Sequence, residues 1–417
     1  MTKLVACVLA AVLIACSPAA RATERATPDD TARFLAGLRP SPSSPLNTLT
    51  KSAVWQRHAA RFDALFELKD RASLSKIRVF ATKEMPQTDR PLLYFFSGPD
   101  FLYANAFFAD ATTYVLSGLE PAGEIPRIED LNPRALEYTL HNTERSLSSV
   151  LSRSFFQTND MRRQLSAGPV FGTLPILYVF LARAGKTVSE AEAIVLDQEG
   201  NVKQADAGRK SGEIGEASQD GARGLRIVFS DKDHSRQTLY YFSGDVSNDG
   251  FRKSGLLKFC GKLGQANAFI KSASYLLHRD RYADLREFIL KQSTLVLQDD
   301  SGIPISYFDP LKWELQPFGN YVGPIPLFRN RYQASLARLS RARDRKGIDF
   351  GVGYQCRTNT SNLLLAVKKV PILYAFRRTE RISLTRPLAC VRSGNRQSPQ
   401  FTTVRHSTRS PLSLARQ

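Results

Sequence analysis

The stretch 91–120 constrains the fold more than any other part of the chain. Leu92-Leu93-Tyr94-Phe95-Phe96 is an unbroken apolar and aromatic run with no polar alternate positions, which suits a strand buried on both faces. Ser97-Gly98-Pro99-Asp100 interrupts it, Phe101 to Phe108 suits a short helix, and Thr113-Tyr114-Val115-Leu116 reads as a second strand. Strand, turn, helix, strand is a βαβ unit, so a parallel sheet covered by helices is expected.

A similar order recurs later. Leu239-Tyr240-Tyr241-Phe242-Ser243-Gly244 echoes Leu93 to Gly98, Ala266-Asn267-Ala268-Phe269 repeats Ala104-Asn105-Ala106-Phe107, and Ser274-Tyr275-Leu276-Leu277 parallels Thr113 to Leu116. Three matches in one order suggest an internal duplication. The expected fold class is therefore α/β with two similar βαβ-containing lobes, 48–198 and 225–369, joined at 199–224, where Gly, Lys, Asp and Ser form a solvated linker or long hairpin loop. The spacing of Val54, Phe62, Leu65 and Phe66 predicts a helix, and Ile77 to Phe80 has strand character. The runs Leu174 to Leu181 and Asn362 to Val367 read as further buried strands.

The chain begins with Lys3, an apolar stretch from Leu4 to Ala15, and Cys16. Twelve apolar residues are too few to span a bilayer, and Leu13-Ile14-Ala15-Cys16 resembles the cleavage motif of a bacterial lipoprotein signal. That resemblance implies a signal peptide over 1–15, lipidation of Cys16 and a lipid-anchored address in the cell envelope. Ser17 after the cysteine implies the outer membrane, facing the periplasm. Cleavage after Ala20-Arg21-Ala22 and an uncleaved anchor are the competing readings; all three place the body outside the cytoplasm. Residues 16–47, rich in Pro, Ser, Ala and Thr, read as a tether in which Asp29 and Asp30 start a short helix through Phe34 and Leu35.

Net charge is +19, which invites a nucleic-acid reading, but the distribution argues otherwise. Residues 370–417 hold nine arginines and one acid, so this segment alone carries +8. With little hydrophobic periodicity, it is expected to be a disordered basic tail. An exported body with a moderate positive excess would favour an anionic envelope polymer or lipid head groups over nucleic acid.

Chemistry is sparsely signalled. His278 follows an expected strand, where α/β folds place reactive groups, and Asp299 or Asp300 with Ser301 supplies an acid and a hydroxyl for a hydrolase. No Gly-x-Ser-x-Gly elbow accompanies them. Asp245 and Asp249 lie in an oxygen-rich loop whose carboxylates suit calcium, but the spacing does not match an EF-hand and turn chemistry, which needs no ion, is the favoured reading. Gly98 stands where a dinucleotide fingerprint needs three glycines, and Pro99 removes an amide donor, so no cofactor is expected. Aromatics around Tyr307, Trp313 and Phe318 to Tyr321 could stack on sugars or simply pack a core. Cys260 and Cys356 are the candidate disulfide of an oxidising compartment.

At Ser97-Gly98-Pro99-Asp100-Phe101-Leu102-Tyr103, Tyr114-Val115-Leu116-Ser117-Gly118-Leu119-Glu120-Pro121 and Gln298-Asp299-Asp300-Ser301-Gly302-Ile303-Pro304, the chain resembles a group of uncharacterised bacterial exported proteins of the lipoprotein type. The likeness runs from about Phe34 to Lys369 and implies no reaction. The expected role is binding or scaffolding at the envelope, with membrane attachment through Cys16; the alternative is an exported hydrolase acting on an envelope or imported polymer.

Overall fold

The computed structural model describes residues 25–165, 168–205, 221–231, 233–342 and 345–369. The leader, Cys16 and the tail from 370 lie outside the described residues, so those expectations are not addressed by it. In chain order the helices are α1 (Pro28–Leu35), α2 (Ala53–Lys69), α3 (Ser75–Glu84), α4 (Phe101–Phe107), α5 (Pro133–Ser152), α6 (Thr158–Leu165), α7 (Leu174–Arg183), α8 (Asn248–Lys253), α9 (Leu256–Lys262), α10 (Ala283–Gln292) and α11 (Ala334–Leu339). The strands are β1 (Leu92–Tyr94), β2 (Thr113–Gly118), β3 (Thr187–Leu196), β4 (Val202–Gln204), β5 (Arg223–Ser230), β6 (Arg236–Ser243), β7 (Ala266–Ile270), β8 (Ser293–Gln298), β9 (Trp313–Gly319) and β10 (Asn362–Lys368). None of the described helices is long and apolar enough to cross a membrane.

All ten strands join one mixed sheet in the order β4-β3-β5-β6-β2-β1-β7-β8-β10-β9. The five central strands, β6 to β8 in that order, are parallel, and both flanks are antiparallel. Alternation along the central strands feeds two cores. Leu92 and Tyr94 of β1, with Tyr114 and Leu116 of β2, face the helices of the first half, α1 to α7. Leu93 and Val115 face α8 to α10. The α/β class holds, but the two halves do not make two lobes: each half supplies the helices for one face of a shared sheet. The described ends of the boundary region, 199–205 and 221–224, accordingly belong to the sheet, where β4 folds back on β3 and β5 begins, and 206–220 lie outside the described residues.

The proposed duplication fails on its own matches. Ala-Asn-Ala-Phe is helical at Ala104–Phe107 and extended at Ala266–Phe269, because the first copy follows a helix cap and the second pairs with β1. Asp100 accepts the Tyr103 amide at 3.2 Å and starts α4. Ser274 to Leu277 is a loop entering a 3-10 turn.

Three other expectations change. Leu174 to Leu181 is a buried helix, α7, with Pro175 in its first turn; a continuous apolar run does not separate buried helix from buried strand. Ile77 to Phe80 lies in α3, where Ile77 and Phe80 are three apart on the buried side. From Pro28 onward the supposed tether belongs to the body: Ala32, Phe34 and Leu35 are buried, Trp55 donates to the Phe34 carbonyl at 3.0 Å, and Asp29 accepts the Val188 amide at 3.0 Å. The predicted helix of 52–68 and the strand of 362–367 are present as α2 and β10.

Candidate functional site

The middle of the sheet contains a topological switch point. β1 leads through α4, on the first face, to β2 on one side; its neighbour β7 leads through α10, on the opposite face, to β8 on the other. Two adjacent parallel strands whose onward connections diverge leave a crevice at their carboxyl ends, the usual ligand position in open α/β sheets.

In this chain that crevice is filled by its own polar side chains. Asp100 follows β1 and Lys271 follows β7, and their Oδ2 and Nζ atoms are 2.9 Å apart with both side chains buried. The same Oδ2 accepts the Tyr94 hydroxyl at 2.8 Å. Lys271 also donates to the Ser154 carbonyl and lies 4.0 Å from the centre of the Tyr103 ring. Lys69, from the end of α2, sits 5.3 Å from that ring and donates to the Arg153 carbonyl at 3.2 Å. Burial first, then the neighbouring Lys271, pulls the Lys69 ammonium down to about 8.

Asp299 and Asp300, at the carboxyl end of β8, extend the cluster. Asp299 accepts the Ser272 amide at 2.8 Å, the Ser301 amide at 2.9 Å and the Ser301 hydroxyl at 2.5 Å. Gly353, at φ +73°, lies so close that a Cβ there would be 2.3 Å from Asp299 Oδ2, which fixes glycine at this position. Asp300 accepts the Tyr275 hydroxyl, and the Asn362 amide at 3.3 Å. Burial and then the adjacent Asp299 push the Asp300 carboxyl up to about 7. Ser272, Ser274 and Tyr275 all have φ between 51° and 53°, a left-handed conformation that costs each non-glycine residue about 1–2 kcal/mol. Such a loop persists only because its amides and hydroxyls are claimed by Asp299, Ser301 and Asp300.

The expected hydrolase residues are therefore brought to one sheet edge without forming a catalytic chain. The Ser301 hydroxyl donates to Asp299 and accepts the Ala273 amide at 2.7 Å, so it is not bonded to His278. His278 presents its ring to Tyr275, with centroids 5.2 Å apart, and its Nε2 is buried without a hydrogen-bond partner. Burial, then Arg331, pulls it down to about 4. A base needs a proton donor in reach; the hydrogen bond this imidazole makes is to the Gly302 backbone and not to Ser301.

The other candidates resolve as structure. Asp245 accepts the Ser247 amide at 2.8 Å and its hydroxyl at 2.6 Å, forming a turn ahead of α8, and Asp249 lies in the first turn of that helix. Among the described residues no three potential metal ligands cluster. Cys260 and Cys356 are free thiols, not a disulfide. They belong to opposite faces: Cys260 packs beside Phe259 under α9, whereas Cys356 follows Phe350 and Val352 of the first core. Phe308, Trp313 and Phe318 are buried, which leaves no aromatic platform there except the half-exposed Tyr307.

Room for a ligand lies at the β4 side of the sheet. A groove of about 1310 Å³ runs between loop 122–131, the outer end of β3, β4 and the start of β5. It exceeds the roughly 300–1,000 Å³ of ordinary small-molecule pockets. Gly123 and Gly172, at φ +89° and +85°, touch backbone to backbone and hold one wall in place. The lining mixes charges. Arg226 pairs with Glu192 at 2.6 Å and Lys203 with Asp197 at 3.2 Å behind it, while Glu124 and Arg223 have no ion pair among the described residues.

Sequence reasoning found Asp299, Asp300 and Ser301 but missed Asp100, Lys271 and Lys69, and it missed the groove. Lys271 was findable: a lysine directly after the wholly apolar Ala268-Phe269-Ile270 is a charge at the end of a buried strand. The groove has no local signature, since 122–131, 191–205 and 223–224 meet only in three dimensions. No family model, curated protein or solved structure matches the chain.

Proposed function

We propose that the protein is an exported bacterial lipoprotein, anchored through Cys16 at the periplasmic face of the outer membrane, that binds an extended peptide-bearing polymer of the envelope. The groove carries this reading: its volume exceeds that of an ordinary small-molecule pocket, and Glu124 and Arg223, which have no ion pair among the described residues, line it with the exposed Ile125. An anion, a cation and an apolar contact together suit a chain bearing both amino and carboxyl groups. Binding or scaffolding is favoured over hydrolysis because the Ser301 hydroxyl is taken up by Asp299 and the Ala273 amide and is not bonded to His278.

The test is retention of the full chain on purified peptidoglycan sacculi. Arg223→Glu combined with Glu124→Lys is expected to lower retention about tenfold, equivalent to about 1.4 kcal/mol. Undiminished retention would remove the groove from the account. Attachment is tested separately by feeding cells radiolabelled palmitate: the wild-type chain takes up label and Cys16→Ala does not. Label on both, or on neither, contradicts a lipid-anchored Cys16.

A further inference from the structure

The segment 320–342 stands out for what it leaves in water. Val322, Leu327 and Tyr332 are 51%, 78% and 53% exposed, large apolar groups presented within eleven residues of one another. The same segment holds four arginines, Arg329, Arg331, Arg338 and Arg341, and no acid. Lys346, just beyond it, is engaged by Glu84 at 2.6 Å, but Arg329, Arg331, Arg338 and Arg341 have no ion pair among the described residues. A soluble surface normally separates exposed apolar groups and interleaves charges of both signs. This one does neither.

The segment is also firmly seated, so its outer groups are presented and not merely loose. Phe328 packs inward on Tyr275 and Tyr354, with centroids at 5.0 and 5.4 Å, above the Asp299 and Asp300 loop. Tyr321 stacks on Tyr332 at 5.7 Å, and its hydroxyl accepts the Gln333 amide at 2.9 Å. Gly323 lies against the Tyr332 ring, where an added Cβ would stand 3.4 Å from it.

We propose that this face docks on an anionic lipid surface, with Leu327, Val322 and Tyr332 entering the headgroup region and the arginines meeting lipid phosphates. Charge complementarity names the sign of the partner, and the apolar tips name its kind. A soluble polyanion would use the arginines and leave Leu327 in water, whereas a membrane interface buries both, and a tyrosine ring suits its boundary. The contact is independent of Cys16 and of the groove. It would supply the second attachment signal that a weakly held acyl chain needs, and it would set which side of the body faces the bilayer.

The test is co-sedimentation of the full chain, carrying Cys16→Ala, with vesicles of phosphatidylcholine plus phosphatidylglycerol and with phosphatidylcholine alone. Binding is expected only to the anionic vesicles. Leu327→Asp and Arg329→Glu, both at exposed positions, are each expected to reduce it by about fivefold to tenfold. Arg223→Glu in the groove leaves it unchanged, so failure here is separable from failure of the groove reading. If Arg329→Glu weakens binding and Leu327→Asp does not, the face is a polyanion site and the lipid assignment is overturned. If neither variant matters, the basic tail or another surface carries the binding and the proposal is equally overturned.

Discussion

Lys271→Ala is expected to lower the unfolding free energy by about 3–5 kcal/mol, the largest effect of any single change considered for this chain. The loss comes from what remains. Asp100 would stay buried with the Tyr94 hydroxyl and the Tyr103 amide as donors and the Lys69 ammonium as the neighbouring positive charge, without its direct ion-pair partner. The Ser154 carbonyl, now bonded to Lys271, would lose its donor. Neutralising both partners together, as Asp100→Asn with Lys271→Gln, keeps hydrogen-bonding groups in place and removes both desolvated charges, so the double variant is expected to be more stable than Lys271→Ala. Urea titration of the three proteins decides it. A Lys271→Ala loss below about 1 kcal/mol would mean that water reaches the pair and that the crevice is not closed.

The second large effect is in the pH dependence of stability between about pH 4 and 7, where the buried Asp299 and Asp300 pair and His278 act in opposite directions. The folded protein holds a proton on Asp300 up to about pH 7, while an unfolded aspartate releases it near pH 3.9. Across that window the folded state binds more protons, so Asp300 makes stability fall as pH rises. His278 is the reverse. It is neutral in the folded state down to about pH 4, whereas an unfolded histidine is protonated below about 6.5, so its contribution makes stability rise with pH. The Asp300 effect is on the order of 4 kcal/mol; the histidine ring is partly open to water, which discounts its share to about 1–2 kcal/mol.

The wild-type curve should therefore decline modestly from pH 4 to 7. Asp300→Asn should flatten that decline, because it removes one of the two buried carboxyls and leaves Asp299, raised by burial, against His278. His278→Gln should steepen it. Thermal melts across the range measure both, and a curve for Asp300→Asn that falls as steeply as the wild-type curve would show that Asp300 is ionised in the folded protein at low pH.

How much could be read beforehand follows from which interactions are local. The β1, α4 and β2 unit was legible because its turn, cap and apolar runs lie within thirty residues. The Asp299-Asp300-Ser301-Gly302 loop was legible for the same reason. The duplication was misread because an identical tetrapeptide takes its conformation from context: Ala104 follows the Asp100 cap, and Asn267 and Ala268 pair with a strand more than 170 residues earlier in the chain. The two-lobe reading fell with it. A linker composition at 199–224 does not distinguish a join between domains from a turn at a sheet edge, since both are solvated. The crevice was half visible. Its acids sit at strand ends, but the partners that neutralise them come from residues 69, 154, 271 and 353, and no spacing rule connects those positions.

The account rests on a division of labour: the polar cluster at the switch point closes the fold, and the groove beside β4 binds the ligand. Retention on peptidoglycan sacculi by the folded Asp100→Asn, Lys271→Gln double variant tests this most directly, with Arg223→Glu, Glu124→Lys measured beside it. Full retention by the first and about tenfold weaker retention by the second is the predicted result. Loss of retention in the first with none in the second would place the ligand at the switch point and contradict the account.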